Sequence, residues 1–454
     1  MASKSNAFTR WLFGLILFTI GTILILTACQ NSRFTSEQSQ TLAAVPVTVT
    51  VFPGMRPTVA ITPTVVATTM STENTITLTF WTVEPVSPKA EGKAGNFIRD
   101  GIQVFERNNP DLKVNLLLKK ASGKGGVLDF LRTAKVVAPT ILPDIAVMNA
   151  TDLPQADAEG LLQPLDNRLD RSLVQDLLPA ARRMGTFNER LMGVPLSLEM
   201  EHTVYNTRTL KVAPLLWADV LRSNTNYLFP AKGLNGLVND VTLSHYFSTG
   251  GTFHTDEGKL TINDQVLRQV LDFYHQGVTQ GVINSNILQA TSTEELWPTY
   301  LKSGAGLAQI SVRQYLTDRA SLKNTSFAPL PVQKMGNTPV PISHGWVLVL
   351  ITQDIARQRA ALRLIEWLLA SGNNAAWNSL NHSIPTRDTA YKQLAGDDPY
   401  WVFLTEQLNN AQPQPSFDGY DQVGRIIQQA IEQVIRGEAS PEQATTTAID
   451  ALTP

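Results

Sequence analysis

Polar and apolar residues alternate through Thr75-Ile76-Thr77-Leu78-Thr79-Phe80-Trp81, a period of two that predicts a strand. From Asn96 to Asn108 the apolar positions Ile98, Ile102 and Phe105 fall four and three apart, which predicts an amphipathic helix stopped by Asn109-Pro110. A second strand is expected over Leu112–Leu118, a helix over Leu128–Val137, and a short, fully buried strand over Pro143-Asp144-Ile145-Ala146-Val147-Met148. Strand, helix, strand, helix, strand describes a parallel sheet with helices on its faces, whose ligands sit beyond the strands' carboxyl ends. Here those ends follow Phe80 and Met148.

The middle of the chain reads as mainly helical, with Asn263 capping a helix whose Val266, Val270 and Phe273 share a face. Strand patterns return at Ala305–Ile310 and Val347–Ile351. The second leads into a helix striped by Ile355, Leu362, Ile365 and Leu369. Val423, Ile427, Ala430 and Val434 mark another helix, and Ser440-Pro441-Glu442-Gln443 is a capping-box pattern opening a last one.

The N-terminus reads differently. Lys4 and Arg10 precede an unbroken apolar run, Trp11 to Leu26, which ends in Leu26-Thr27-Ala28-Cys29. A charged start, an apolar stretch short for a membrane span and small residues before a cleavage point make a secretory signal. Cys29 directly after it resembles the bacterial lipobox, where the cysteine becomes the lipidated first residue; the alternative is an uncleaved anchor helix. Residues 29–74, rich in Thr, Val, Pro and Ser with Pro46, Pro53, Pro57 and Pro63 recurring, read as an extended disordered tether.

Composition narrows the function. The 454 residues suffice for two or three domain-sized units, with a formal charge of −2 and 17% charged residues. No basic excess supports a grip on nucleic acid. A single cysteine excludes an internal disulfide framework and multi-thiolate metal sites. No cofactor or metal is expected.

Ordered segments resemble a known family. Phe105-Glu106-Arg107-Asn108-Asn109-Pro110-Asp111-Leu112-Lys113-Val114, then Pro143-Asp144-Ile145, Gly160-Leu161-Leu162-Gln163-Pro164-Leu165-Asp166, Gly193-Val194-Pro195-Leu196 with Tyr205-Asn206, and Gly437-Glu438-Ala439-Ser440-Pro441-Glu442-Gln443-Ala444 are similar to stretches of the extracellular solute-binding lipoproteins of bacterial ABC importers, sugar-type (maltose-binding-protein-like) group. The resemblance spans about Thr75 to Ala448. It implies an α/β, two-lobed periplasmic-binding-protein-like fold (type II), each lobe a sheet flanked by helices, with three hinge crossings and ligand in the cleft. Carried onto this chain, the crossings fall near Leu196–Glu201, Ala328–Pro331 and Gly372–Trp377. Lobe one is then 75–197 plus 329–373, and lobe two 198–328 plus 374–454.

Sugars present hydroxyls to carboxylates and C–H faces to aromatic rings. Trp81 and Glu84 follow the first strand as a candidate ring and acceptor, with core packing the competing role for Trp81. Asp152 follows the third strand, as ligand contact or helix cap. Glu199 and Glu201, two apart on an extended crossing, point the same way. Trp297, with Tyr300 near it, lies in a segment where the family places aromatic contacts. Arg313 departs from the family's small residue there and suits an anionic group. In Ser343-His344-Gly345-Trp346 the family's first glycine is histidine, while Gly345 and Trp346 keep the form of a binding loop. Tyr420 lies at the family's C-terminal aromatic contact.

The expected function is lipid-anchored capture of an extracellular solute, a carbohydrate, by a monomer on the outer face of the cytoplasmic membrane, with delivery to ABC permease subunits and no catalysis. A surface glycan hydrolase and a sensor or structural lipoprotein are the alternatives. Sequence motifs for phosphate loops, nucleophile elbows and zinc-binding helices are absent.

Overall fold

A computed structural model describes residues 75–90 and 92–452. The expected signal, Cys29 and the tether lie outside the described residues. The main sheet has the order β2-β1-β3-β10-β6-β8-β7, with β11 beside β10 and β9 beside β6. Its strands are β1 Ile76–Thr82, β2 Leu112–Leu118, β3 Ile145–Asn149, β6 Val194–Asn206, β7 Tyr227–Leu228, β8 Leu307–Ser311, β9 Thr325–Ala328, β10 Ile342–Leu350 and β11 Gln412–Pro413. A separate hairpin joins β4 Thr186–Phe187 to β5 Arg190–Leu191.

β1 pairs in parallel with β2 and β3, as the alternating pattern and intervening helices require. The helix Lys93–Asn108 buries Ile98, Ile102 and Phe105, and Asn109 closes it by donating from Nδ2 to the Phe105 carbonyl at 2.8 Å. β3 is buried on both faces, Ile145 through Met148 being wholly inaccessible. β10 runs antiparallel to both β3 and β6. It begins at Ile342, five residues before the expected strand, so Gly345-Trp346 lies inside a paired strand rather than a loop. The reason is steric: a Cβ at Gly345 would stand 2.4 Å from the Ser197 carbonyl oxygen and 2.6 Å from Met184 Sδ, so this glycine lets the strands close up.

The thirteen-residue β6 joins two halves of the sheet. Val194 to Met200 pair with β10, whereas Glu201 to Tyr205 pair with β8 and Thr203 to Asn206 with β9. There are two apolar clusters. The first gathers β1, β3, most of β6 and β10, and also β8 with the helices Thr293–Ser303 and Val312–Asp318; the second gathers Trp217, Phe229, Tyr246, Phe273, Tyr274 and the helix Tyr420–Arg436.

The chain changes cluster more than three times: Leu288 lies in the second, Ala290 to Tyr315 mostly in the first, Leu330 and Ile342 in the second, Val347 to Ala411 in the first and Tyr420 onward in the second. Trp377, Ile384, Tyr391, Tyr400 and Leu404 all pack in the first cluster. Asn374 and Asn378 explain this by each donating from Nδ2 to the Leu196 carbonyl, at 2.9 and 3.0 Å, while Ile384 pairs with Leu198. These ties fasten 374–411 to β6.

Candidate functional site

Strand geometry sorts the side chains of β6 onto two faces. Leu198, Met200 and His202 point into packed protein, His202 bonding through Nε2 to Tyr400 Oη at 2.8 Å among Tyr315, Tyr400 and Phe403. Burial lowers its pKa to about 4, keeping the imidazole neutral. Glu199, Glu201 and Thr203 occupy the other face.

Directly opposite residues of an antiparallel pair share a face, so the register adds partners. His344 stands opposite Glu199, Ser311 opposite Glu201, and Gln309 opposite Thr203, to whose Oγ1 it donates at 2.8 Å. First turns of helices complete the group: Asp240 of Asp240–Ser248, Glu294 of Thr293–Ser303 and Arg313 of Val312–Asp318.

His344 Nε2 lies 2.7 Å from Asp240 Oδ2. Burial alone would lower the histidine's pKa, yet the charge and hydrogen bond of Asp240, joined by Glu201 and Glu199, lift it to about 9. The Arg313 backbone N–H donates to Glu199 Oε1 at 3.1 Å, and Arg313 Nε approaches Oε2 at 3.5 Å. Arg313 Nη1 also donates to the carbonyl and the side-chain oxygen of Asn381, both at 3.1 Å. Burial nevertheless raises Glu199 to about 7 against the pull of Arg313. Glu201 rises to about 8, first by burial and then by repulsion from Asp240, Glu294 and Glu199, against the attraction of His344. The Oε2 atoms of both glutamates are buried without a hydrogen bond. Ser311 Oγ donates to Glu294 Oε1 at 2.7 Å.

Glu199, Glu201 and Arg313 therefore come together, as the sequence suggested, with His344 beside them. Asp240 and Glu294 escaped the sequence reading; their signal was only the acidic first turn of a capped helix. Other candidates lie elsewhere. Trp81 is 2% exposed, edge-on to Phe130 and beneath Lys119 Nζ at 4.4 Å, a core ring. Glu84 is exposed on the 3-10 turn Glu84–Val86. Trp297 is buried, stacked on Tyr300 at 4.9 Å and donating from Nε1 to Asp318 at 2.6 Å. Asp152 follows β3; its side chain caps nothing, while Asn149 caps the turn, and burial moves Asp152 to about 6. Trp346 is half-buried against the first cluster. Tyr420 is 5% exposed, packed on Phe253 and Phe417, with its hydroxyl lacking a hydrogen bond; burial, then the charges of Asp240 and Asp421, push its pKa up.

A cleft of about 970 Å³ is lined by residues of the segment Pro179–Thr186, of the turn Phe247–His254 and of the chain from Gln412 to Phe417. No group of three or more metal-ligating side chains occurs among the described residues. Nor is any helix among them long and apolar enough to cross a membrane.

Comparison with known proteins places this geometry. No curated protein matches the chain. Among solved structures, the cyclic alpha-maltosyl-1,6-maltose binding protein from Arthrobacter globiformis superposes with a TM-score of 0.68 at 19% identity, covering 83% of this chain and 98% of that one. The sugar-binding protein MalE from Xanthomonas citri gives 0.68 at 19%, covering 83% and 97%. Maltose-bound MalE3 of T. maritima gives 0.66 at 20%, covering 83% and 98%. These likenesses establish the two-lobed periplasmic-binding-protein-like fold. The model of the bacterial extracellular solute-binding protein family matches residues 105–401, and the chain belongs to that family.

Proposed function

We propose that the protein is the receptor of an ABC importer, capturing a carbohydrate in the cleft between its lobes and presenting it to permease subunits from a lipid anchor at Cys29. The observation that carries the reading is the row of carboxylates on the crossing strand. Glu199 and Glu201 hold buried oxygens without hydrogen bonds on a strand that pairs first with β10 and then with β8. Carboxyl oxygens left open in this way can accept a ligand's hydroxyl groups. A ligand held there touches both lobes, so binding favours their closed arrangement. The sugar-binding neighbours named above support the solute class.

Glu199 and Glu201 share one strand face, which suits gripping a ligand more than cleaving it. Glycosidase carboxylates instead flank the scissile bond from two sides.

The reading is tested by melting the protein with a panel of oligosaccharides. A bound sugar at one hundred times its Kd adds about 2.7 kcal/mol of stability. Raised melting temperature with every sugar recovered intact is the expected result. Released shorter sugars would establish the hydrolase alternative instead.

A further inference from the structure

Arginines without acids mark a second place where a ligand fits. The cleft of about 970 Å³ has the size of a small-molecule site, and Arg182 and Arg183 of the helix Pro179–Gly185 line it. Among the described residues, no aspartate or glutamate does. The exposed Arg182 side chain makes no hydrogen bond or ion pair with any described residue. Arg183 donates from Nε and Nη2 to the carbonyls of Leu408, Asn409 and Ala411, and its Nη1 is unused. Burial lowers the Arg183 pKa with no acid opposing it.

The rest of the lining suits a carbohydrate more than a bare anion. Phe247, Phe253 and Phe417 form an aromatic wall with His254, whose ring stands 4.6 Å from that of Phe417. Such rings receive the C–H face of a sugar. The Thr252 hydroxyl, the Gln412 amide and the His254 ring nitrogens have no hydrogen-bond partner among the described residues, so each is open to a ligand's hydroxyls. This place is distinct from the carboxylate row. Met184, on the helix of the two arginines, meets the Gly345 side of β10, while His344 and Glu199 project from the other side of the sheet. The helix Asp240–Ser248 reaches both places, with Asp240 beside His344 and Phe247 in the cleft, about 10 Å further along its axis.

We propose that this cleft is a second binding site, for an acidic carbohydrate whose carboxylates pair with Arg182 and Arg183 and whose ring faces lie on Phe247, Phe253 and Phe417. Arg182 offers its whole planar fork to a carboxylate, and Arg183 adds Nη1. A neutral sugar leaves both cations unmatched, and inorganic phosphate leaves the aromatic wall bare. A uronic acid chain, with a carboxylate on each ring, meets both demands in one molecule. The site stands whether or not the carboxylate row on β6 holds a sugar of its own.

The experiment is titration calorimetry on the full-length chain in mild detergent, at pH 7 and low salt, with the galacturonic acid trimer, maltotriose and inorganic phosphate as probes. The acidic trimer is expected to bind at least about tenfold more tightly than phosphate, and 0.5 M salt to weaken it by about the same factor. R182E, which removes a side chain without partners, is expected to weaken the acidic trimer at least about tenfold at an unchanged melting temperature. In E199Q/E201Q the acidic trimer is expected to keep its affinity within about twofold and to bind more tightly than maltotriose. Loss of the acidic trimer in E199Q/E201Q places it on the carboxylate row and overturns the proposal, as does an affinity indifferent to R182E or no better than that of maltotriose in E199Q/E201Q. Should either variant fail to fold, the unmodified chain decides: an acidic trimer bound no more tightly than phosphate, or indifferent to salt, overturns the second site and leaves the sugar-receptor reading untouched.

Discussion

His344 on β10 and Asp240 in the first turn of the helix Asp240–Ser248 form an ion pair of 2.7 Å that joins this strand to a helix of the second apolar cluster. Its strength depends on pH in a defined direction. The folded-state pKa of about 9 lies above the ordinary 6.5, so the pair's stabilisation is complete below pH 6.5 and is lost as pH rises through 9. Asp240→Asn should therefore lower stability by about 1–2 kcal/mol at pH 6, and the deficit should close by pH 10. Urea unfolding at both pH values checks this; a deficit independent of pH would show that the pair carries no linkage.

Glu199 and Glu201 make a contrasting case. Their pKa values, about 7 and about 8, exceed the ordinary 4.5, so the folded state holds protons that the unfolded chain has released. Their contribution is present below pH 4.5 and lost as pH rises through 8. The variant E199Q/E201Q, neutral at every pH, should match the wild type near pH 5 and exceed it by about 1–3 kcal/mol at pH 8.5. The same variant should lose sugar binding. Thermal melts across that range are the measurement, and a variant less stable at pH 8.5 would contradict the burial assigned to these acids.

Local signals explain which of these features the sequence displayed. β1, β2 and the helix after Asn263 follow from periodicity and caps, and the capping box at Ser440 forms as read: Gln443 N–H donates to Ser440 Oγ at 3.2 Å and Ser440 N–H to Gln443 Oε1 at 3.0 Å. Glu199 and Glu201 were visible because a period of two acts within one strand. Asp240 was hidden because it meets His344 across 104 positions of chain, a relationship no local window contains. The surroundings of Trp81 and Trp297 were hidden for a related reason. Both follow the right elements, but Phe130 and Lys119 enclose one ring while Tyr300 and Asp318 hold the other.

Gly345 tests the strand assignment of the Ser343–Trp346 segment. In a flexible binding loop an added methyl group would be tolerated. Between β6 and the helix Pro179–Gly185 it meets Ser197 and Met184 at 2.4 and 2.6 Å. Gly345→Ala should cost about 1–3 kcal/mol in urea unfolding, and M184A in the same chain should recover only part of that, because the carbonyl clash remains. Loss of sugar affinity should accompany the destabilisation, since β10 carries His344.

The Pro143-Asp144-Ile145 segment, which served as a family marker, has a structural basis that predicts the largest single loss. Asp144 is 3% exposed. Its Oδ2 accepts the Thr79 backbone N–H at 2.7 Å and Arg357 Nη2 at 2.6 Å, while Oδ1 accepts Arg357 Nε at 2.7 Å. Arg357 Nη2 in turn donates to the Thr77 carbonyl at 2.7 Å. One carboxylate thus joins β1, the start of β3 and the helix Ile355–Leu368. Asp144→Ala should destabilise by about 3–5 kcal/mol, because it leaves a guanidinium partly buried and unpaired. Asp144→Asn, which keeps an acceptor for Thr79, should lose less. R357L should restore part of the D144A loss, as expected when two residues act through one contact. The double-mutant cycle measures that coupling, and strict additivity of the two losses would mean that the pair contributes nothing beyond its separate packing.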